Sequence, residues 1–308
     1  MKQTVIAIVG PTAVGKSRVS AEVAKAFDGE IISGDSMQVY KGLDIGTAKI
    51  SEEEKQGIPH YMIDILHPDE AFSAADFQHY VQHNIQHIAS KHKLPIIAGG
   101  SGLYIQATLF HYNFSDQRRD KHVTKQLEQE LDTYGAVRLY QRLQRLDPDQ
   151  AAKIHPNNHR RLIRALEIYE TTGRTMSEYQ QNQVNESDYH PIFIGLEMDR
   201  DQLYERINSR VDRMMADGLL DEVRRLYDHG YGDSQAMRAI GYKEFVPYFK
   251  DEQTLEESIR LLKRNSRRYA KRQYTWFKNK LNVHWYTITP STMEATVAKI
   301  SNDLAGML

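Results

Sequence analysis

The chain has 308 residues, 40% of them hydrophobic and 26% charged, with a formal net charge of −1. That is an ordinary globular balance, with room for about two domains. It has no cysteine, which excludes disulfides and cysteine-ligated zinc or iron–sulfur centres and fits a reducing, cytoplasmic setting. No apolar run approaches the ~18 residues of a membrane span, so no membrane association is expected.

The first apolar run, Val5–Val9, is cut off by Gly10-Pro11, so it reads as a buried strand rather than a leader. Lys16–Phe27 follows with a helical period, then strands at Glu30–Ser33 and Tyr61–Ile65. Ala74–His92 is helical, and Ser73-Ala-Ala-Asp76 has the form of a capping box at its start. Pro95–Ala98 is a fourth strand, running into Gly99-Gly100. This alternation predicts an α/β fold, a P-loop-type parallel sheet core flanked by helices. Asp116–Glu186 is polar, charged and helical in period. It is predicted as a mainly helical insertion domain, residues 116–186, in a core made of 1–115 and 187–308. His190–Met198 returns as a strand, and Arg200–Asp217, Leu219–His229 and Leu255–Lys280 close the chain as helices.

Three stretches carry chemistry. Gly10-Pro11-Thr12-Ala13-Val14-Gly15-Lys16-Ser17 matches G-x4-G-K-[ST] between a strand and a helix, the context that confirms a phosphate-binding loop. Its glycines let backbone N–H groups approach an anion, and the helix N-terminus adds a favourable dipole. Lys16 would neutralise phosphate oxygens, and Ser17 would hold Mg²⁺. The loop alone does not say whether the phosphate belongs to ATP. An ATP hydrolase also needs a second carboxylate at a strand end, for which Asp64 is the fair candidate. Asp35 follows a short buried strand and should project at the carboxyl edge of the sheet, where ligands bind in open α/β folds. By position alone it serves equally well as a turn aspartate capping backbone. Ala98–Ile105, "AGGSGLYI", is another strand running into a glycine turn, with Ser101 and Tyr104 at its mouth. His79, His83 and His87 share helical spacing, but without a neighbouring glutamate motif they read as a polar helix face rather than a metal site.

Charge is unevenly placed. Of the 40 cations nine fall within Ile259–Lys280, which has no anion, leaving 31 against 41 anions elsewhere. Residues 260, 264, 268 and 272, with 263, 267 and 271 beside them, lie on one helical face. Such a stripe suits a nucleic-acid backbone better than a solvated face, which normally mixes in acids. Tyr269, Tyr274 and Trp276 fit core packing better than base stacking.

Together these stretches resemble the tRNA dimethylallyltransferases, or tRNA isopentenyltransferases, of bacterial type. The resemblance runs over nearly the whole chain. It is carried by "GPTAVGKS", "DSMQVYKGLDIGTAK", "PHYMIDI", "FSAADF", "GGSGLYI", "PNNHRRLIRALEIYETTG", "RVDRMMADGLLDEV", "AIGYKE" and "RRYAKRQYTWF". Ser17 stands where threonine is frequent, Ser101 where "GGTGLY" is usual, and His159 where glutamine is common.

The resemblance implies transfer of a dimethylallyl group from dimethylallyl diphosphate to N6 of the adenosine 3′ to the anticodon, releasing pyrophosphate. It implies Asp35 as general base, with Thr12 and Arg210 assisting at the diphosphate in the loop Gly10–Ser17, and Mg²⁺ as cofactor. By its own residue pattern, Arg210 looks like a helix-surface arginine. The partner implied is the tRNA anticodon stem-loop, met by a monomer. Asp35, Ser36, Met37 and Gln38 would grip the flipped base, with Ser101 nearby. The RNA body would meet Val123, His159, Arg160, Arg161, Leu162, Ile163 and Arg164 in the insertion. Arg238, Gly241 and Lys243 of "MRAIGYK" and Arg268, Lys271 and Arg272 of the basic helix would add further contacts. Two other readings compete. One is prenylation of free AMP, ADP or ATP, which needs neither an insertion nor a basic stripe. The other is a P-loop NTPase or small-molecule kinase.

Overall fold

The computed structural model describes residues 2–110, 112, 120–181 and 186–308. The chain divides into two compact units, Met1–Leu109 with Ser187–Leu308, and Phe110–Glu186. The expected boundary at 115–116 lies outside the described residues.

The first unit is built on a six-stranded, wholly parallel sheet. Its strands are β1 (Gln3–Val9), β2 (Gly29–Ser33), β3 (His60–Tyr61), β4 (Leu94–Gly99), β5 (Tyr189–Glu197) and β6 (His284–Thr287), in the order β3-β2-β4-β1-β5-β6. The apolar run of β1 has the composition of a strand covered on both faces, and Val5–Val9 is fully buried. It pairs with β4 and β5, Ile6 standing opposite Ile96 and Ile192. Helices Lys16–Ala26, Arg200–Ala216 and Met293–Ala305 supply apolar faces to this sheet, with Val19, Val23, Ile207, Ile300 and Leu304 packed against Ile6, Ile8 and Ile194. Helix Ala74–Ser90 opens as its sequence implies. The Ser73 hydroxyl accepts from Asp76 N–H at 3.1 Å, and the Asp76 carboxylate accepts from Ser73 N–H at 2.9 Å.

Two expectations need correction. The strand expected at Tyr61–Ile65 keeps only His60–Tyr61. Met62 and Asp64 take φ of 64° and 55°, which breaks the ladder, and Ile65 is 37% exposed. The helix expected to reach His229 is α-helical only over Leu219–Leu226, and left-handed Gly230 (φ 84°) falls inside the wider turn that follows, Tyr227–Tyr231. Strand β6 and the helices Gly102–Leu109 and Met293–Ala305 were not among the expected elements.

The second unit is helical: Lys121–Leu146 interrupted at Gly135, then Pro148–Ala151, His159–Thr172 and Met176–Gln181. Its own core gathers Leu127, Leu139, Leu143, Ile154, Leu162 and Leu166. Two buried carboxylates are satisfied locally, as burial demands. Glu167, 0% exposed, accepts from Asp120 N–H at 3.0 Å, the Thr124 hydroxyl at 3.1 Å and Arg164 at 2.9 Å. Asp147 accepts from Gln150 N–H, Ser177 N–H and the Ser177 hydroxyl.

Candidate diphosphate site and basic surfaces

The sheet delivers its loops to one edge, where β1, β2 and β4 end at Val9, Ser33 and Gly99. After β1 the chain turns at Gly10, whose φ is 145° and where a Cβ would stand 2.5 Å from the Leu196 carbonyl oxygen. Gly15, left-handed at φ 111°, starts the helix Lys16–Ala26. Val19 N–H bonds Gly15 O at 3.2 Å. The N–H groups ahead of it belong to a helical first turn, which has no intrahelical acceptors for them and presents them to an anion. Val14 is buried, so the loop is anchored by its apolar residue and offers backbone rather than side chain at that position.

Three charged groups meet here. Lys16 Nζ spans the loop to the carbonyls of Gly10 at 3.1 Å and Pro11 at 2.8 Å. Burial, and secondarily the Arg210 cation, pull its pKa down to about 7, against the opposing pull of Asp35. Arg210 Nη1 donates to the Thr12 hydroxyl at 3.3 Å, and burial lowers its pKa too. Far from being a surface arginine, it reaches the loop across 198 residues of chain. Asp35 accepts from Met37 N–H at 2.9 Å. Burial raises its pKa, and the Met37 hydrogen bond and the cations Lys16 and Arg210 only partly counter that. Asp35 therefore serves both as a turn aspartate and as a carboxylate beside two cations.

The surroundings of Asp35 are held by its neighbours. The Ser33 hydroxyl donates to Gln38 Oε1 at 2.8 Å, and Gln38 Nε2 reaches the carbonyls of Thr47 and Ala48 at 3.3 and 3.4 Å. Ser36 N–H donates to the Ser101 hydroxyl at 3.3 Å, which joins the β2 and β4 turns. Asp35, Ser36, Met37 and Gln38 are all half-buried at this edge. Ser17 is exposed on the first helical turn. Asp64 is ion-paired with Lys49 at 2.5 Å.

Other side chains do what local patterns did not reveal. Glu222, 2% exposed, accepts from the N–H groups of Asp44, Ile45 and Gly46 at 3.1, 2.8 and 3.1 Å and from Tyr242 OH at 2.6 Å. Gly46 packs on the Tyr242 ring and Gly241 on the Gly46 backbone, so "DIGT", "LLDEV" and "AIGYKE" are one interlocked support. Gly241 is thus a buried packing position, whereas Arg238 and Lys243 beside it are exposed. Gln273 links Thr12 to Gly100. Tyr269 interacts with Ser101 and Gln273, and burial, with Asp35 nearby, pushes its phenol up to about 12. The readable signal for Glu222 and Gln273 was a polar residue on an apolar helix face: Leu219, Glu222, Val223, Leu226 and Leu262, Ala270, Gln273, Phe277 are the buried positions.

The basic helix Leu255–Lys280 is less bare than its sequence. Acids reach it from outside the counted window: Glu257 binds Arg260, Asp212 binds Lys263 at 2.5 Å, and Glu197 binds Lys278 at 3.1 Å. Arg267 donates to Asn208. Arg268, Lys271 and Arg272 are exposed, Arg272 lying over the Tyr269 ring. Tyr274 bonds Glu197 at 2.7 Å and packs on Trp285, and Trp276 lies against Gly102. In the helical unit, His159, Arg160 and Arg161 are exposed, Val123 is half-buried, Leu162 and Ile163 are core residues, and Arg164 is tied to Glu167. His79, His83 and His87 lie on an exposed helix face.

This fold and site define a P-loop α/β protein with a candidate anion-binding loop beside a half-buried carboxylate. Residues 38–280 match the family model described as IPP transferase. The chain is 60% identical over 308 residues to a tRNA dimethylallyltransferase of Oceanobacillus iheyensis, covering 100% of this chain and 98% of that protein. It is 52% identical to one of Bacillus subtilis, with the same coverage. The crystal structure of a tRNA isopentenylpyrophosphate transferase from Bacillus halodurans is similar at a TM-score of 0.76 and 49% identity, covering 99% of this chain and 96% of that one. A structure of a eukaryotic dimethylallyltransferase acting on tRNA is similar at a TM-score of 0.84 and 33% identity, covering 99% and 80%. The chain belongs to the IPP transferase family.

Proposed function

We propose that this protein transfers a dimethylallyl group from dimethylallyl diphosphate to tRNA, at N6 of the adenosine 3′ to the anticodon. The observation that carries the mechanism is the meeting of Asp35, Lys16 and Arg210 at one sheet edge. The N6 lone pair of adenine is delocalised into the ring, so the amine attacks well only as it loses a proton. Asp35, beside the loop, takes that proton as the carbon–nitrogen bond forms and the carbon–oxygen bond to the diphosphate breaks. General-base help of this kind contributes roughly 10²–10⁴-fold. Lys16, Arg210 acting with Thr12, and the loop N–H groups stabilise the charge growing on the leaving pyrophosphate. The recessed position of Asp35 favours a base flipped out of its stack, at a cost of about a few kcal/mol.

The residues fit Mg²⁺ only as a companion of the diphosphate. Ser17 offers one exposed hydroxyl, and among the described residues no group of three His, Asp or Glu side chains is arranged to hold a metal. When bound, the ion would neutralise diphosphate charge. Exposed Arg268, Lys271 and Arg272 favour a tRNA acceptor over a free nucleotide. A monomer working in the cytoplasm suffices for this reading, and no described helix is long and apolar enough to cross a membrane.

The test is incubation with Mg²⁺, labelled dimethylallyl diphosphate and unmodified tRNA carrying adenosine 3′ to the anticodon. Label in the tRNA is expected, and it should vanish when that adenosine is replaced by guanosine. An unlabelled tRNA together with brisk phosphate release from ATP would overturn the proposal.

A further inference from the structure

The basic helix is hydrogen-bonded to the phosphate loop through the side chain of Gln273. Gln273 is 5% exposed on the inner face of Leu255–Lys280, between the outward Lys271 and Arg272 and the buried Phe277. Its Oε1 accepts from Thr12 N–H at 2.8 Å, a partner 261 residues away, and its Nε2 donates to the Gly100 carbonyl at 3.0 Å. Both ends of the amide are used, as a buried amide requires. Gly100 is glycine for this contact, because a Cβ there would lie 1.9 Å from Gln273 Nε2. Thr12 is thus gripped from two sides, at its N–H by Gln273 and at its hydroxyl by Arg210 at 3.3 Å.

We propose that Gln273 is a positioning residue for the transfer reaction: it fixes Thr12, and with it the phosphate loop, against the β4 glycine turn. It touches no reacting atom. Arg210 alone holds Thr12 by a flexible side chain at the long end of hydrogen-bonding distance, which leaves the loop backbone free to shift. Gln273 removes that freedom, and misplacement of about 1 Å in such a site costs on the order of 10²-fold in rate. Only a group that accepts at one end and donates at the other can do this. A glutamate would accept from Thr12, but once ionised it would repel the Gly100 carbonyl and the diphosphate, and when neutral it would regain the donor.

The inference rests on the transfer reading for its catalytic meaning, so the test includes a measurement that does not need transfer. Gln273→Met keeps the volume and removes both bonds, and Gln273→Glu keeps one. Binding of inorganic pyrophosphate with Mg²⁺ is measured by calorimetry, tRNA affinity by filter binding, and kcat and KM by label transfer, all below each variant's melting temperature. For Gln273→Met, pyrophosphate affinity and kcat are each expected to fall about tenfold or more, with tRNA affinity within about threefold of the parent. For Gln273→Glu, the deficit in pyrophosphate affinity relative to the parent at the same pH is expected to shrink as pH falls, because the neutral acid restores the donor. If Gln273→Met does not fold, this pH-dependent recovery decides the matter alone. Pyrophosphate affinity and kcat within about twofold of the parent, a parallel fall in tRNA affinity, or a pH-independent deficit in the glutamate variant would each overturn the proposal. A parent that binds pyrophosphate through Gln273 yet labels no tRNA would instead break the transfer reading and leave the loop-positioning role standing.

Discussion

The phosphate loop and the basic helix are both rich in charge, but they hold it in opposite ways. At the loop, Lys16, Asp35 and Arg210 are half-buried and perturb one another, so their protonation is tuned by partial burial. On the helix, Arg268, Lys271 and Arg272 face solvent, while Lys263 and Lys278 are spent on Asp212 and Glu197. Charge of the first kind acts on a bond being made or broken, because a low-dielectric setting magnifies it. Charge of the second kind acts on encounter and affinity, and salt screens it.

The contrast is broken most directly at Asp35. Asp35→Asn is expected to lower turnover by roughly 10²–10⁴-fold while tRNA affinity stays within about threefold. Equal loss of both, measured by single-turnover transfer and filter binding, would move Asp35 from chemistry to binding. Replacing Arg268, Lys271 and Arg272 together by alanine should do the reverse. The slope of log affinity against log salt should flatten by about two to three, with turnover at saturating tRNA nearly intact. Arg267 is left out because it serves Asn208.

The pH dependence sharpens the same difference. Lys16, with its pKa drawn down to about 7, must be protonated to hold an anion well. Pyrophosphate affinity should therefore fall as pH rises from about 7, with proton uptake on binding visible as a buffer-dependent calorimetric heat. Asp35, with its pKa raised by burial, keeps its proton to higher pH than an ordinary aspartate. The acidic limb of kcat/KM should accordingly lie above the usual aspartate range and be lost as pH falls through it.

The smallest effect separates neighbours in the helical unit. Arg164→Ala should cost about 1–3 kcal/mol of stability by leaving the buried Glu167 one partner short, read by denaturant melting. Arg161→Ala, on the exposed side, should leave stability within about 0.5 kcal/mol.

Much of the frame was legible because it is local. Val5–Val9 followed by Gly10-Pro11, the G-x4-G-K-[ST] spacing and the Ser73–Asp76 box each specify a conformation within a few residues, and each forms as written. The Tyr61–Ile65 strand failed because Met62 and Asp64 adopt left-handed backbone, which at Met62 the residue type does not announce. The pairing of Lys263 and Lys278 was not legible because a count within one window cannot see Asp212 or Glu197 on other elements.

By itself, then, the sequence determined the parallel α/β plan, the phosphate loop and the candidate base at the end of β2, since strand period, turn glycines and helix caps are short-range. Only the tertiary structure decided that Arg210 and Gln273 grip the two sides of Thr12 and that Glu222 clamps Asp44–Gly46. It also decided which cations of the basic helix stay exposed. Those contacts join residues separated by most of the chain, and they exist only once the sheet has brought its loop ends to one edge.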